Sequence, residues 1–274
     1  MEIVLPKTRS KAENYLPQFM IIYSKPKVGK STVCAALPNA LIIDLEDGYR
    51  ALPVMKVQAR SFEHLKAIRK AIVEEGRETK QKPYKYIVID NATRLEEYCI
   101  SEATRRHRAE EPTWGILHDE YGRGLKNEKG EFIPDPNANV LNLGYGKGYT
   151  LLRDTVKNVI DMFKPVCECL ILVSHTKESS ININTEEMSE ISPDIAGKLS
   201  TILCGVADAI GFMYRKGNDT FMTFKGGGNV INEARPKHLT NKTFRVITSS
   251  DDDTTPQVNI KEIFGEQDDT VNLD

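Results

Sequence analysis

The chain has 274 residues, of which 40% are apolar and 28% charged, and a formal net charge of -2. That is enough for one large α/β domain or two small ones, and the near-neutral balance excludes a generally basic protein, so any nucleic-acid contact has to be local. No apolar run approaches the ~20 residues that span a bilayer, residues 1–9 lack a signal-peptide core, and five scattered cysteines suit reduced thiols; the expectation is a soluble, cytoplasmic protein with no membrane partner.

Residues 19–23, Phe-Met-Ile-Ile-Tyr, predict a buried strand. Ser24, Lys25, Pro26, Lys27, Val28, Gly29, Lys30, Ser31 and Thr32 follow directly and lead into a helix over 32–37. A strand that turns through Gly-Lys-Ser into a helix aims successive backbone N–H groups, the helix dipole and one ammonium at a single point, which makes a polyphosphate cradle. The expected cofactors are ATP and Mg2+, with Lys30 facing solvent when no nucleotide is bound. Ser24 stands where the P-loop pattern has its first glycine, a turn that a small residue makes at modest conformational cost.

Further along, 40–44 and 86–90 read as strands buried on both faces of a parallel sheet. Between them Phe62, Leu65, Ile68 and Ile72 share one helical face over 61–75, with Ser61 as N-cap. A helix over 149–163 and a strand over 170–173 continue the alternation, which predicts an α/β fold with helices on both faces of a mainly parallel sheet. Cys167 and Cys169, at the entry to that strand, read as buried thiols rather than a metal pair. Strands over 207–214 and 220–224, joined at Gly217-Asn218, form a C-terminal hairpin. Two stretches break the rhythm: an insertion at about 108–148, and a polar, largely acidic loop over 177–193. The expected organisation is one domain over 1–248 and an acidic, poorly ordered tail over 249–274.

Asp90 ends an apolar strand, where a Walker B carboxylate has to stand if it and Ser31 are to hold magnesium beside the P-loop. Position 91 is Asn rather than Glu, so the acidic pair of AAA-type ATPases is missing and the water-activating carboxylate has to come from another strand. Glu46, just past the strand over 40–44, supplies it.

Here the chain resembles the RecA/RadA-type recombinase core, whose corresponding strand ends in a similar Asp-x-Glu. The likeness runs over residues 19–246. It is nearest to phage-encoded RecA-like single-strand annealing and recombination ATPases, which often carry a Lys-Pro-Lys-x-Gly-Lys-Ser loop like residues 25–31. The resemblance implies a RecA-like P-loop NTPase core and an ATPase acting on single-stranded DNA in recombination, annealing, repair or replication. In such proteins Glu46 would activate water beside Lys30, and His175, at the end of the strand over 170–173, would sense the γ-phosphate. It also implies a homo-oligomer with its active site between subunits, a neighbour's cation drawn from Arg215, Lys216, Arg235 or Lys237, a single-strand-binding or replication protein as partner, and a host cytoplasm. DNA would meet the Arg105, Arg106, His107, Arg108 segment, with Trp114 and Tyr121 as stacking platforms, and the loop over 177–193. Two other readings stay open. One is a P-loop kinase with a lid of Arg105, Arg106, Arg108 and Arg123; the other is a nucleotide-gated binding module with little turnover.

Overall fold

The apolar runs form the centre of a sheet because their two faces each need a separate cover. The computed structural model describes residues 5, 7–8, 15–183, 186–248 and 257–265. Its strands are β1 (Phe19–Ser24), β2 (Ala40–Asp44), β3 (Met55–Gln58), β4 (Tyr86–Asp90), β5 (Cys169–Ile183), β6 (Glu186–Pro193), β7 (Ala209–Lys216), β8 (Asp219–Thr223), β9 (Glu233–Ala234), β10 (Thr243–Thr248) and β11 (Gln257–Val258). The helices are α1 (Lys30–Ala35), α2 (Phe62–Thr79), α3 (Ala92–Glu110), α4 (Lys147–Phe163), α5 (Gly197–Val206) and α6 (Lys261–Phe264).

Six strands run parallel in the order β7-β1-β5-β4-β2-β3, and β8, β10 and β11 extend the β7 edge antiparallel. Alternate residues of each central strand face opposite layers. Phe19, Ile21, Ile43, Ile87 and Leu172 pack with Leu65 of α2, Leu95 of α3, Val156 of α4 and Leu199 of α5. Met20, Ile22, Ile42, Val88 and Ile171 pack with Cys34 of α1, Phe244 and Ile263. Both faces are thus covered, as the alternation of strands and helices predicts. Ser61 caps α2 as expected, its Oγ accepting from the His64 N–H at 3.2 Å. Cys167 and Cys169 are buried, and the Cys167 thiol, pushed up to about 12 by burial, donates to the Phe163 carbonyl.

Several expectations need correction. The stretch 177–193 is no loop: β5 and β6 form an antiparallel hairpin from Thr176 opposite Pro193 to Ile183 opposite Glu186. The insertion starts later than 108, because α3 runs to Glu110, and it carries its own meander. Ile116 bridges Pro134, His118 bridges Gly124 and Lys126 bridges Phe132. Its turns are tied by Asp119 to Tyr121 and Arg123 and by Asn127 to Lys129 and Glu131. Within the expected tail, residues 257–265 belong to the fold: β11 pairs with β10, Ile263 is buried, and the Tyr86 hydroxyl donates to the Phe264 carbonyl at 3.0 Å. The acidic residues 251–253 and 266–269 lie outside the described residues.

The insertion returns to the core through Gly148, one residue into α4. A Cβ at Gly148 would lie 1.9 Å from the Val140 carbonyl oxygen, and the Val140 N–H is itself held by Thr104 Oγ1 at 3.0 Å. Glycine to alanine normally stabilises a helix by up to about 1 kcal/mol. Here Gly148→Ala is expected to destabilise by about 2 kcal/mol, because backbone has to move to admit the methyl group. A lowered urea midpoint at unchanged m-value checks this.

Candidate functional site: a phosphate-binding pocket

The loop after β1 is held from two sides. Ser24 is buried in the sheet, paired with His175 on β5 and Met213 on β7. Its hydroxyl donates to the Lys25 carbonyl at 2.7 Å and accepts from Lys30 Nζ at 3.0 Å. The left-handed positions of the loop are Lys27, at φ 62°, and Gly29, at φ 114°. Residue 24 therefore ends a strand rather than making the turn, and glycine is not required there. Gly29 is a different matter, since a Cβ at that position would lie 2.6 Å from Ile247 Cδ1 on β10. From the other side, Arg215 Nη2 donates to the Lys27 carbonyl at 3.4 Å and Thr220 Oγ1 donates to the Val28 carbonyl at 3.1 Å.

Lys30 does not face solvent. It is 7% exposed, and Nζ donates to the Ser24 carbonyl at 3.3 Å and the Lys25 carbonyl at 3.5 Å. Burial lowers its pKa, while the Asp90 and Glu46 carboxylates act in the opposite sense.

Four carboxylates stand at or just past the ends of β2 and β4, each in a different environment, and two of them, Asp90 and Glu46, act on this ammonium. Asp44 is consumed by its own loop: Oδ1 accepts the N–H groups of Glu46, Asp47 and Gly48 at 3.1, 2.7 and 3.2 Å, and Oδ2 accepts that of Tyr49 at 3.4 Å. Asp47 turns away to Arg50 and to Lys56, and the Arg50 guanidinium lowers its pKa. Glu46, exposed and on the pocket wall, is left with its charge toward Lys30 and Asp90. Asp90 takes a hydrogen bond at 2.7 Å from the hydroxyl of Tyr49, a buried side chain that also lies against Ser31. Burial raises the Asp90 pKa; the Tyr49 bond and Lys30 pull it down, while Glu46 and Asp44 push it up.

Lys30, Ser31, Thr32, Glu46, Asp90 and His175 all line one pocket of about 410 Å³, so the structure brings the sequence-derived site together. Pro26, Lys27 and Gly29 line it as well, whereas Ser24, Lys25 and Val28 support it from behind. His175 Nδ1 is buried without a hydrogen-bond partner among the described residues. Among those residues no group of three or more His, Cys, Asp and Glu side chains is placed to hold a metal. Ser31 and Asp90 nonetheless fit magnesium, which takes one or two protein oxygens and completes its shell with water and phosphate.

Most of the cations expected to serve elsewhere are already engaged. Arg215 lines its own pocket wall, and Arg235 bonds the Gly205 carbonyl at 2.6 Å and pairs with Asp208. Arg105 and Arg106 both bind the buried carboxylate of Glu102, Arg106 stacks on Phe62, and Arg108 donates to the Asp135 carbonyl. Trp114 packs edge-on against His107, and Arg123 pairs with Asp119 over the Tyr121 ring. Sequence reasoning missed Tyr49, Thr220 and Ile247. Only Tyr49 left a signal, an aromatic closing the Asp-x-Glu-Asp-Gly turn.

A parallel sheet whose P-loop, Walker-B-type aspartate and adjacent strand ends converge in this way defines a P-loop ATPase domain. The chain belongs to a family of AAA domains (AAA_24), whose model matches residues 16–253. No curated protein gives a significant match. Among the described residues no helix is long and apolar enough to cross a membrane.

Tyr49→Phe removes a hydrogen bond that lowers the Asp90 pKa, so that pKa is expected to rise further. Because the protonated acid cannot serve a cation, magnesium-dependent nucleotide binding falls as pH falls through this pKa, and the fall should begin at higher pH in the variant. Calorimetric titration with ATP and magnesium across a pH series reads the displacement.

Proposed function

We propose that the chain hydrolyses ATP with magnesium as one subunit of a homo-oligomeric RecA-like assembly acting on single-stranded DNA. The observation that carries the hydrolytic part is the division of labour among the carboxylates. Asp44 and Asp47 are bound within their own turn, and Asn91 is spent capping α3 through the Arg94 N–H at 3.1 Å, which leaves Glu46 as the unencumbered acid facing Lys30.

In this reading the loop N–H groups and the Lys30 ammonium, released from the Ser24 and Lys25 oxygens, take the β- and γ-phosphates. Ser31 and Asp90 would hold magnesium, which supplies charge neutralisation on the phosphate oxygens. Glu46 orients the attacking water and accepts its proton. His175, on the pocket wall, would turn its imidazole to the γ-phosphate. The AAA family match supports nucleotide binding and turnover; the recombinase character rests on the Asp-x-Glu turn and on His175, which lies within β5 rather than at its end, where the strand passes from the parallel sheet into the hairpin with β6. The candidate cations from a neighbouring subunit narrow to Lys216 and Lys237, both exposed.

A kinase reading loses its support, because Arg105, Arg106, Arg108 and Arg123 are held by Glu102, Asp135 and Asp119 and none of them lines the pocket. A low-turnover module would draw on the departures at Ser24 and Asn91, but Ser24 sits in regular strand, where glycine is not required.

Lys30→Ala is expected to abolish tight ATP binding, measured as a dissociation constant by calorimetry. Glu46→Gln should bind ATP nearly normally yet hydrolyse it about 10²–10⁴ times more slowly, while Asp47→Asn retains turnover. Phosphate release that stops in Asp47→Asn and persists in Glu46→Gln would overturn the assignment.

A further inference from the structure

We propose that the groove between the first turns of α4 and α5 is the seat of the single strand, with bases stacked on Tyr145 and Tyr149 and phosphates held by Arg153 and Lys198. This inference rests on the single-stranded DNA reading above and gives it a location other than the Arg105–Arg108 segment.

Three observations carry it. The first is a pair of tyrosines with no place in the core: Tyr145 is 111% exposed and Tyr149 49%. They lie in the run Gly144-Tyr145-Gly146-Lys147-Gly148-Tyr149, where Tyr145 holds a left-handed backbone at φ 55°. A bulky side chain in that region is strained, and here no packing offsets it, a combination found where a residue serves a ligand. Gly148, jammed against Val140, holds the run in place.

The second observation is the charge of the groove. It encloses about 420 Å³, and its lining includes Arg153, Lys198 and the apolar stems of Leu152 and Leu199 but no carboxylate. Arg153 is oriented by Thr150, its Nη2 donating to Oγ1 at 2.8 Å. Aromatic faces beside cations, without competing acids, suit a polyanion that carries stackable bases. The insertion's other aromatic platform lacks this property, because Arg123 is neutralised by Asp119.

The third is the groove's attachment to the nucleotide pocket. The Asp194 N–H donates to the His175 carbonyl at 2.8 Å, and Ser174 Oγ donates to the Asp194 carbonyl at 3.4 Å. Two residues on, the Ala196 N–H is held by Glu96 Oε1 at 2.8 Å, and Ala196, Gly197 and Lys198 form the groove wall. Any shift of His175 on meeting a γ-phosphate is therefore passed to the groove wall through the hydrogen bonds that Ser174 and His175 make to Asp194.

The test is fluorescence anisotropy of the full chain with fluorescein-labelled oligothymidylate, ATP and magnesium over a salt series. Tyr145→Ala and Tyr149→Ala should each weaken binding about tenfold with little change in salt slope, and the Phe variants should restore it. Arg153→Ala and Lys198→Ala should each reduce the slope by about 0.7. A wild-type chain that binds, with all four alanine variants unchanged in affinity and slope, would overturn the groove and leave the DNA reading standing. A wild-type chain that does not bind overturns both. If the tyrosine variants alter sedimentation, by losing an oligomer, rather than DNA affinity, the groove belongs to a second copy of the chain and the proposal fails.

Discussion

In-register parallel pairing at one edge of the sheet is the constraint on which the site depends. Asp44 pairs with Asp90, Asp90 with Val173, and His175 with Ser24, so β1, β2 and β4 deliver their last residues, and β5 the residues where it leaves the parallel sheet, to one side of the site. A one-residue slip in any of these pairings would turn a site residue into the core and a core residue into the pocket. The fully buried interiors of β1, β2 and β4 prevent such a slip, because each residue has a partner layer on its own side. Packing in the sheet is thus what positions the chemistry.

Within that site the electrostatics are uneven. Four backbone amides satisfy the buried Asp44 carboxyl, and a side chain so held organises the turn that presents Glu46. Asp90 has one phenol and a nearby ammonium against the cost of burial, which raises its pKa. Lys30 has the matching problem, and the two groups sustain each other's ionisation. A polyphosphate with its divalent cation adds charge of both signs where the protein alone is frustrated.

The strands β1, β2, β4 and the first part of β5 were legible because a run buried on both faces needs no periodicity to be recognised, and the P-loop because its spacing serves one geometry. The acidic residues of the β5–β6 hairpin hide it in the sequence, although pairing in the ladder depends on backbone and tolerates them. The pairing of the basic segment at the end of α3 is visible in the sequence: Glu102 stands three and four residues before Arg105 and Arg106, the spacing at which helical side chains meet. Ile260, Ile263 and Phe264 share a helical face, but the acidic surroundings hid it. Lys30's retreat onto Ser24 and the closure of the pocket by Thr220 and Ile247 were not legible, since both are contacts between distant parts of the chain.

Ile247 against Gly29 carries a consequence for assembly of the protein in time. The phosphate cradle is made from a loop translated early and a wall, β8 and β10, translated late. Until β10 emerges from the ribosome, the parallel strands can collapse but the back of the cradle is open to water. Competence to hold nucleotide therefore comes as a late event in biosynthesis, and a chain interrupted within the final strands would lack both the closed cradle and the Phe244 and Ile263 cover on that face of the sheet.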